Sequence, residues 1–163
     1  MRLVLVTAAI TFVVDQLSKW LVVHVMGLAQ RLAIDVLPPV LNFRMAWNRG
    51  MNFGLFADDA AAARWTLIAV ALGIVMFVAV WLRRDPPGRL GLISGGLLIG
   101  GALGNVVDRL VYGAVADFLN MSCCGLENPF AFNVADIAIF AGAIGLVLFS
   151  GGEAAGKRKK KAP

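Results

Sequence analysis

Histidine and cysteine are almost missing from this chain. One histidine and two cysteines stand among 163 residues, and that scarcity removes several chemistries at once. No His-Glu-x-x-His segment is present to hold zinc. No Gly-x-Ser-x-Gly elbow occurs, and the lone His24 leaves little room for a serine or cysteine triad. Cys123 and Cys124 are adjacent, with no further thiol or imidazole nearby, so they read as neither a metal signature nor a disulfide framework. A nucleotide loop is missing too: Gly100-Gly101-Ala102-Leu103-Gly104 follows no strand and lies inside an apolar run. Charged residues make up only 15% of the chain, which makes the position of each one informative.

What is present is apolar length. Hydrophobic residues make up 60% of the chain, and the mean hydropathy is +0.80, too apolar for an ordinary soluble domain of this size. Four stretches, about 3–26, 65–82, 90–110 and 130–149, approach or reach the roughly 20 residues a membrane span needs. The second carries no charge between Trp65 and Leu82 and would have no polar face in water. Asp15, Gln16 and Lys19 interrupt the first stretch, and no small-residue cleavage site follows convincingly. It therefore reads as a retained span rather than a signal peptide. Arg2, the Arg83-Arg84…Arg89 link and the lysine-rich tail at 151–163 are predicted to lie on the cytoplasmic side, with both termini inside. The net charge of +5 is then mostly an orientation and lipid-attraction signal, and nucleic acid is not expected as a partner.

Between the first two spans, Leu41, Phe43, Met45 and Trp47 alternate with Asn42, Arg44, Ala46 and Asn48, which predicts a strand with one apolar face turned to lipid or a lipid-like ligand. Pro38-Pro39 marks a turn before it, and Asn48–Gly54 breaks it. Asp58-Asp59 followed by Ala60–Ala63 predicts a short interfacial helix. The expected architecture is an all-α integral membrane protein of one domain. It has four transmembrane helices, a small outer β-cradle and surface helix within 30–64, and a basic tail. Glycines at 91/95, 96/100 and 100/104 form small-xxx-small pairs suited to close helix packing in lipid.

Polar groups gather at one depth. Helix rise is about 1.5 Å per residue. It puts Asn105, Asp108 and Arg109 near the outer end of span three, and Asn133 and Asp136 just below the outer end of span four. Lys19 lies in the outer half of span one, Asp15 one turn deeper on the same face, and Asp117 in the outer link. Acids in lipid are costly and tend to be functional. Asp15 with Lys19, and Asp108 with Arg109 or a neighbouring helix, are explained by charge pairing. Asp117 and Asp136 have no adjacent base in sequence. Two carboxylates facing each other across a cleft share one proton. The ionised one can activate a water, and the protonated one can polarise a carbonyl and supply a proton to a leaving amine. A small proton-coupled transporter subunit uses similar acids, although no internal repeat or broken midplane helix is visible here. A purely structural assembly subunit would explain the glycines but not the acids.

Five segments in order, Asp15-Gln16-x-x-Lys19, Asn48-x-Gly50-x-x-Phe53, Gly100-Gly101-Ala102-x-Gly104-Asn105-x-x-Asp108-Arg109, Val115-x-Asp117-Phe118 and Phe132-Asn133-x-Ala135-Asp136, span nearly the whole chain. In them it resembles bacterial lipoprotein signal peptidase, the signal peptidase II family of membrane aspartic peptidases. The resemblance implies catalytic Asp117 and Asp136. It also implies substrate-contacting or supporting roles for Asn48, Asn105, Arg109, Asn133, Lys19, Asp15, Asp108 and Gly101. The implied substrates are prolipoproteins carrying diacylglyceryl-cysteine, cut just before that cysteine. The implied location is the bacterial inner membrane with the site near the periplasmic face, the implied inhibitor is globomycin, and no cofactor or metal is implied. Met51 and Asn52 depart from the small residues common there in relatives.

Overall fold

A computed structural model describes residues 1–50, 60–123 and 128–150. The expected features at Asp58-Asp59, at Met51–Gly54, at Cys124 and in the basic tail lie outside the described residues.

Helix α1, Arg2–Lys19, buries Val4, Ala8, Thr11, Asp15 and Lys19, a one-sided stripe at helical spacing. A π-helical turn, Trp20–Val25, extends it. A short α2, Leu28–Arg31, follows. The long helices α3, Ala60–Arg84, and α4, Arg89–Tyr112, come next in the helical series, and α5 spans Val134–Phe149. Ala60–Ala63 thus form the first turn of α3 itself and not a separate helix, because nothing in the alanine run interrupts the α3 ladder. Three helices, Arg2–Val25, Ala61–Arg84 and Arg89–Tyr112, are long and apolar enough to cross a membrane. The fourth is shorter than the sequence suggests, at 16 residues. Its apolar run starts at Phe130, but Phe132 exchanges backbone hydrogen bonds with Leu119 and Asn133 caps the helix, so residues 130–133 serve the sheet instead. Met76, Phe77, Phe140 and Val147 point outward and stay exposed, as lipid-facing side chains do.

Helix α4 is central, and its glycines explain why. A Cβ on Gly96 would lie 2.9 Å from the Val4 carbonyl of α1, and one on Gly101 would lie 2.6 Å from the Ala135 carbonyl of α5. From the other side, Gly142 of α5 brings the backbone of Leu98 within 2.6 Å of where its Cβ would be. Helices without a hydrophobic drive towards each other gain association through such backbone approach. Val4, Ala8, Val78, Leu82, Leu98, Ile99 and Leu146 fill the core around these contacts.

At the opposite end of the bundle from Arg2 and Arg89, three strands form one antiparallel sheet, in the order β1 (Ala33–Leu37), β2 (Leu41–Asn48), β3 (Val115–Asn120). The alternating strand occurs as expected. On its apolar face Phe43 and Met45 are half-buried against Val22, Leu28 and Phe118, while Trp47 stays exposed. The rings of Phe43 and Phe118 meet edge-on, 5.8 Å apart. Over strand β3 the sequence predicts only a link. All but one of its residues are buried, so it lacks the period-two signal of a half-exposed strand. A bulge between Phe43 and Ala46 shifts the register and sets Ala46 opposite Asp117. Cys123 is disulfide-bonded, where the sequence predicts no disulfide framework.

Candidate active site

Five elements meet at the sheet end of α4. Asn133 precedes α5 in an extended conformation, and its side-chain oxygen accepts from the Asp136 backbone N–H at 2.9 Å. Asp136 returns the favour: its Oδ2 accepts from the Asn133 backbone N–H at 3.2 Å. This reciprocal capping box satisfies two donors that a helix start leaves open. A third, the Ala135 N–H, donates to Asp15 Oδ1 of α1 at 2.9 Å. The same capping geometry aims the free side of Asn133 at β3, where its Nδ2 donates to Asp117 Oδ1 at 2.6 Å. Asn48, at the end of β2, donates to Asp117 Oδ2 at 3.0 Å. Its own Oδ1 accepts from the N–H of Gly50, whose φ of +76° suits the turn that leaves the strand. Asn105 of α4 donates to Asp136 Oδ1 at 2.9 Å.

Asp117 and Asp136 are therefore held by amides and share Asn133 as a partner. Among the described residues neither takes part in a salt bridge. Burial pushes the Asp117 carboxyl up to about 6. The neighbouring Asp136 charge adds to that rise, while the amides of Asn48 and Asn133 and the charge of Lys19 oppose it.

One hydrogen bond away sits a second group of acids. Lys19 Nζ lies 2.8 Å from Asp15 Oδ2 and 2.8 Å from Asp108 Oδ2, and it donates to Asn105 Oδ1 at 3.1 Å. Asp15, Lys19 and Asp108 are all buried. Asp108 pairs across to α1 and not to Arg109, and it also accepts from the Ala116 N–H at 3.2 Å, fixing the start of β3. Arg109 donates to the Asn105 carbonyl at 3.3 Å within its own helix, and its charge falls within electrostatic reach of Asp117 and Asp136. Gly101 abuts the Ala135 carbonyl and sets the approach of α5.

The structure thus brings Asp117, Asp136, Asn133, Asn105, Asn48, Lys19, Asp15 and Asp108 into one connected network. Two contributors escaped the sequence reading. Gln16 donates to Asp15 Oδ2, to Asp108 Oδ1 and to the Gly104 carbonyl, and its signal was an amide beside an acid in an apolar run. Gly104 lies so close to Asp15 that a Cβ would sit 2.5 Å from Oδ2; its spacing in sequence signals packing and does not signal this approach to an acid. Among the described residues no group of three or more His, Cys, Asp or Glu is arranged to hold a metal ion. The arrangement sets two carboxylates near enough for one to feel the other's charge, each held by amide donors.

Comparison with known proteins gives a consistent answer. A family profile described as Signal peptidase (SPase) II matches residues 7–151. The chain is 43% identical over 150 residues to a lipoprotein signal peptidase from Methylorubrum extorquens (strain PA1), covering 90% of this chain and 84% of that one. It is 39% identical over 142 residues to a lipoprotein signal peptidase from Shewanella amazonensis, covering 86% and 82%. Two solved structures, each described as a bacterial membrane enzyme, share the fold. One has a TM-score of 0.76 at 24% identity over 89% of this chain and 90% of that chain. The other has 0.72 at 22% identity over 98% and 91%. The proton-coupled transporter reading finds no support in these similarities.

Proposed function

We propose a function from one premise: this chain belongs to the signal peptidase II family. It is a membrane aspartic endopeptidase that processes prolipoproteins. The observation that carries the reading is the pair Asp117 and Asp136, tied through Asn133 and left without a salt-bridge partner among the described residues. One carboxyl keeps a proton. The ionised partner takes a proton from a water as that water attacks the scissile carbonyl. The protonated one donates to the carbonyl oxygen, and a proton then passes to the departing amine as the peptide bond breaks. The Asn48, Asn105 and Asn133 amides orient the two carboxylates and are placed to satisfy backbone groups of a substrate helix that unwinds, which lipid cannot do.

The same reading puts all four long apolar helices across the bacterial inner membrane. Helix α5 is about 24 Å long at 1.5 Å per residue, and the shortfall against a core of about 30 Å is met by the extended residues before it and by local thinning. Arginines 2, 83, 84 and 89 mark the cytoplasmic end, so both termini are inside and the aspartates lie near the periplasmic face. A site at that depth meets a signal peptide and a diacylglyceryl-cysteine without drawing either out of lipid, and globomycin competes there.

The test is conversion of a lipidated prolipoprotein, followed by gel shift with purified enzyme in detergent. Asp117→Asn and Asp136→Asn are each expected to lose roughly 10²–10⁴-fold in rate while inserting normally. Full turnover by either variant removes the dyad.

A further inference from the structure

Asp117 and Asp136 are tied together at the front and at the back. The front tie is Asn133, which bonds to both. The back tie runs through their chain neighbours. The N–H of Ala135, the residue before Asp136, donates to Asp15 Oδ1 at 2.9 Å. The N–H of Ala116, the residue before Asp117, donates to Asp108 Oδ2 at 3.2 Å. Whatever links Asp15 to Asp108 therefore links α5 to β3 next to the two aspartates.

Two side chains of α1 make that link. Lys19 Nζ lies 2.8 Å from Asp15 Oδ2 and 2.8 Å from Asp108 Oδ2. Gln16 Nε2 donates to the same Asp15 oxygen at 3.1 Å, but to the other Asp108 oxygen, Oδ1, at 3.0 Å. It also reaches the Gly104 carbonyl of α4 at 3.3 Å. That difference separates their jobs. Lys19 supplies the charge and holds Asp108 through one oxygen, about which a carboxylate can turn. Gln16 takes the second oxygen. Bonds on both oxygens fix the carboxylate plane and keep Oδ2 aimed at the Ala116 N–H. The amide does this without adding charge to a pair that Lys19 already compensates.

We propose that Gln16 is a positioning residue for the cleavage reaction: by locking the Asp108 carboxylate to Asp15, it sets where β3 presents Asp117 relative to Asp136. The inference rests on the peptidase reading above. Among the described residues Gln16 donates to neither Asp117 nor Asp136, so its effect passes through the backbone of Ala116. A cavity of about 280 Å³ adjoins Gln16, with Trp20, Trp47 and Tyr112 among its walls. A replacement of similar length therefore fits without repacking its neighbours.

Two full-length variants test it. Gln16→Met keeps the length and loses the amide; Gln16→Asn keeps the amide one methylene short of the bridge. Steady-state cleavage of a lipidated prolipoprotein is measured beside amide hydrogen exchange by NMR in detergent. In both variants kcat is expected to fall about tenfold with KM unchanged, because a misplaced group costs turnover and not binding. The Ala116 amide is expected to exchange about tenfold faster. The Phe118 amide, bonded to the Phe132 carbonyl, keeps its rate. Wild-type kcat, a rise in KM alone, or a kcat loss with Ala116 exchange unchanged overturns the assignment. Exchange that quickens equally at Ala116 and Phe118 also overturns it, since the sheet has then loosened as a whole. If one variant does not fold, the other decides by the same criteria. A wild type that cuts no lipidated prolipoprotein overturns the peptidase reading instead, and Ala116 exchange still decides whether Gln16 holds β3.

Discussion

Two pairs of acids sit side by side in this protein and are treated in opposite ways. Asp15 and Asp108 share one buried ammonium, Lys19, with both distances at 2.8 Å. Among the described residues, the hydrogen bonds that Asp117 and Asp136 receive come only from amides. Asn105 joins the two pairs, since its Oδ1 accepts from Lys19 while its Nδ2 donates to Asp136. The neutralised pair does structural work: Asp15 holds the first turn of α5 and Asp108 holds the first residues of β3. Those are the elements that carry Asp136 and Asp117. The lesson is that charge compensation separates scaffold from chemistry. A carboxylate whose charge is cancelled positions backbone, and on the proposed reading the carboxylates held by neutral donors are the ones left for chemistry.

Removing the cation gives the largest expected effect. Lys19→Met leaves two buried acids without compensation, a loss on the order of 3–5 kcal/mol in detergent unfolding. Adding Asp15→Asn and Asp108→Asn to that variant should recover a substantial part. If Lys19→Met destabilises no more than Asp117→Asn does, the two pairs are not different in kind.

The next effect depends on pH. Because burial raises the Asp117 carboxyl to about 6, the folded state binds its proton more tightly than the unfolded chain, where the group titrates near 3.9. The stability linked to that proton is complete below about pH 4, falls as pH rises towards about 6, and is gone above it. Wild type should therefore lose on the order of 2–3 kcal/mol relative to Asp117→Asn between about pH 4 and about pH 7. Melting curves that stay parallel across that range would show that the amides compensate the charge as fully as Lys19 does next door.

How much of this contrast could be read from the sequence depends on the element. The long helices showed as apolar runs and β2 as period-two alternation, signals strong enough to place them. The polar layer followed from helix rise alone, because one rise value fixes the depth of Lys19, Asn105 and Asp136 at once. Strand β3 did not show, since burial on both faces removes alternation, and with it went the register that sets Ala46 opposite Asp117. Partner choice was also hidden. The sequence left Asp108 to Arg109 or a neighbouring helix, and the neighbouring helix is the outcome, since adjacent residues on a helix point about 100° apart. Lys19 reaches Asp108 from α1, at a place where Gly104 lets that helix come close. The shorter α5 was invisible for a related reason: Phe130–Phe132 are as apolar as the helix they precede, and only pairing with Leu119 withdraws them from it.

The smallest stability effect separates the two jobs of Asn133, which caps α5 with its oxygen and binds Asp117 with its nitrogen. Asn133→Ala removes both and should cost about 1 kcal/mol for the lost cap. Asn133→Ser keeps a capping oxygen, so its melting temperature should stay near wild type, yet it has no amide to give Asp117. If the donor to Asp117 matters for turnover, both variants lose cleavage to a similar degree while only the alanine variant loses stability. Cleavage that tracks stability instead, with the serine variant near wild type in both, would place the whole value of Asn133 in the cap and leave Asn48 as the amide that matters to Asp117.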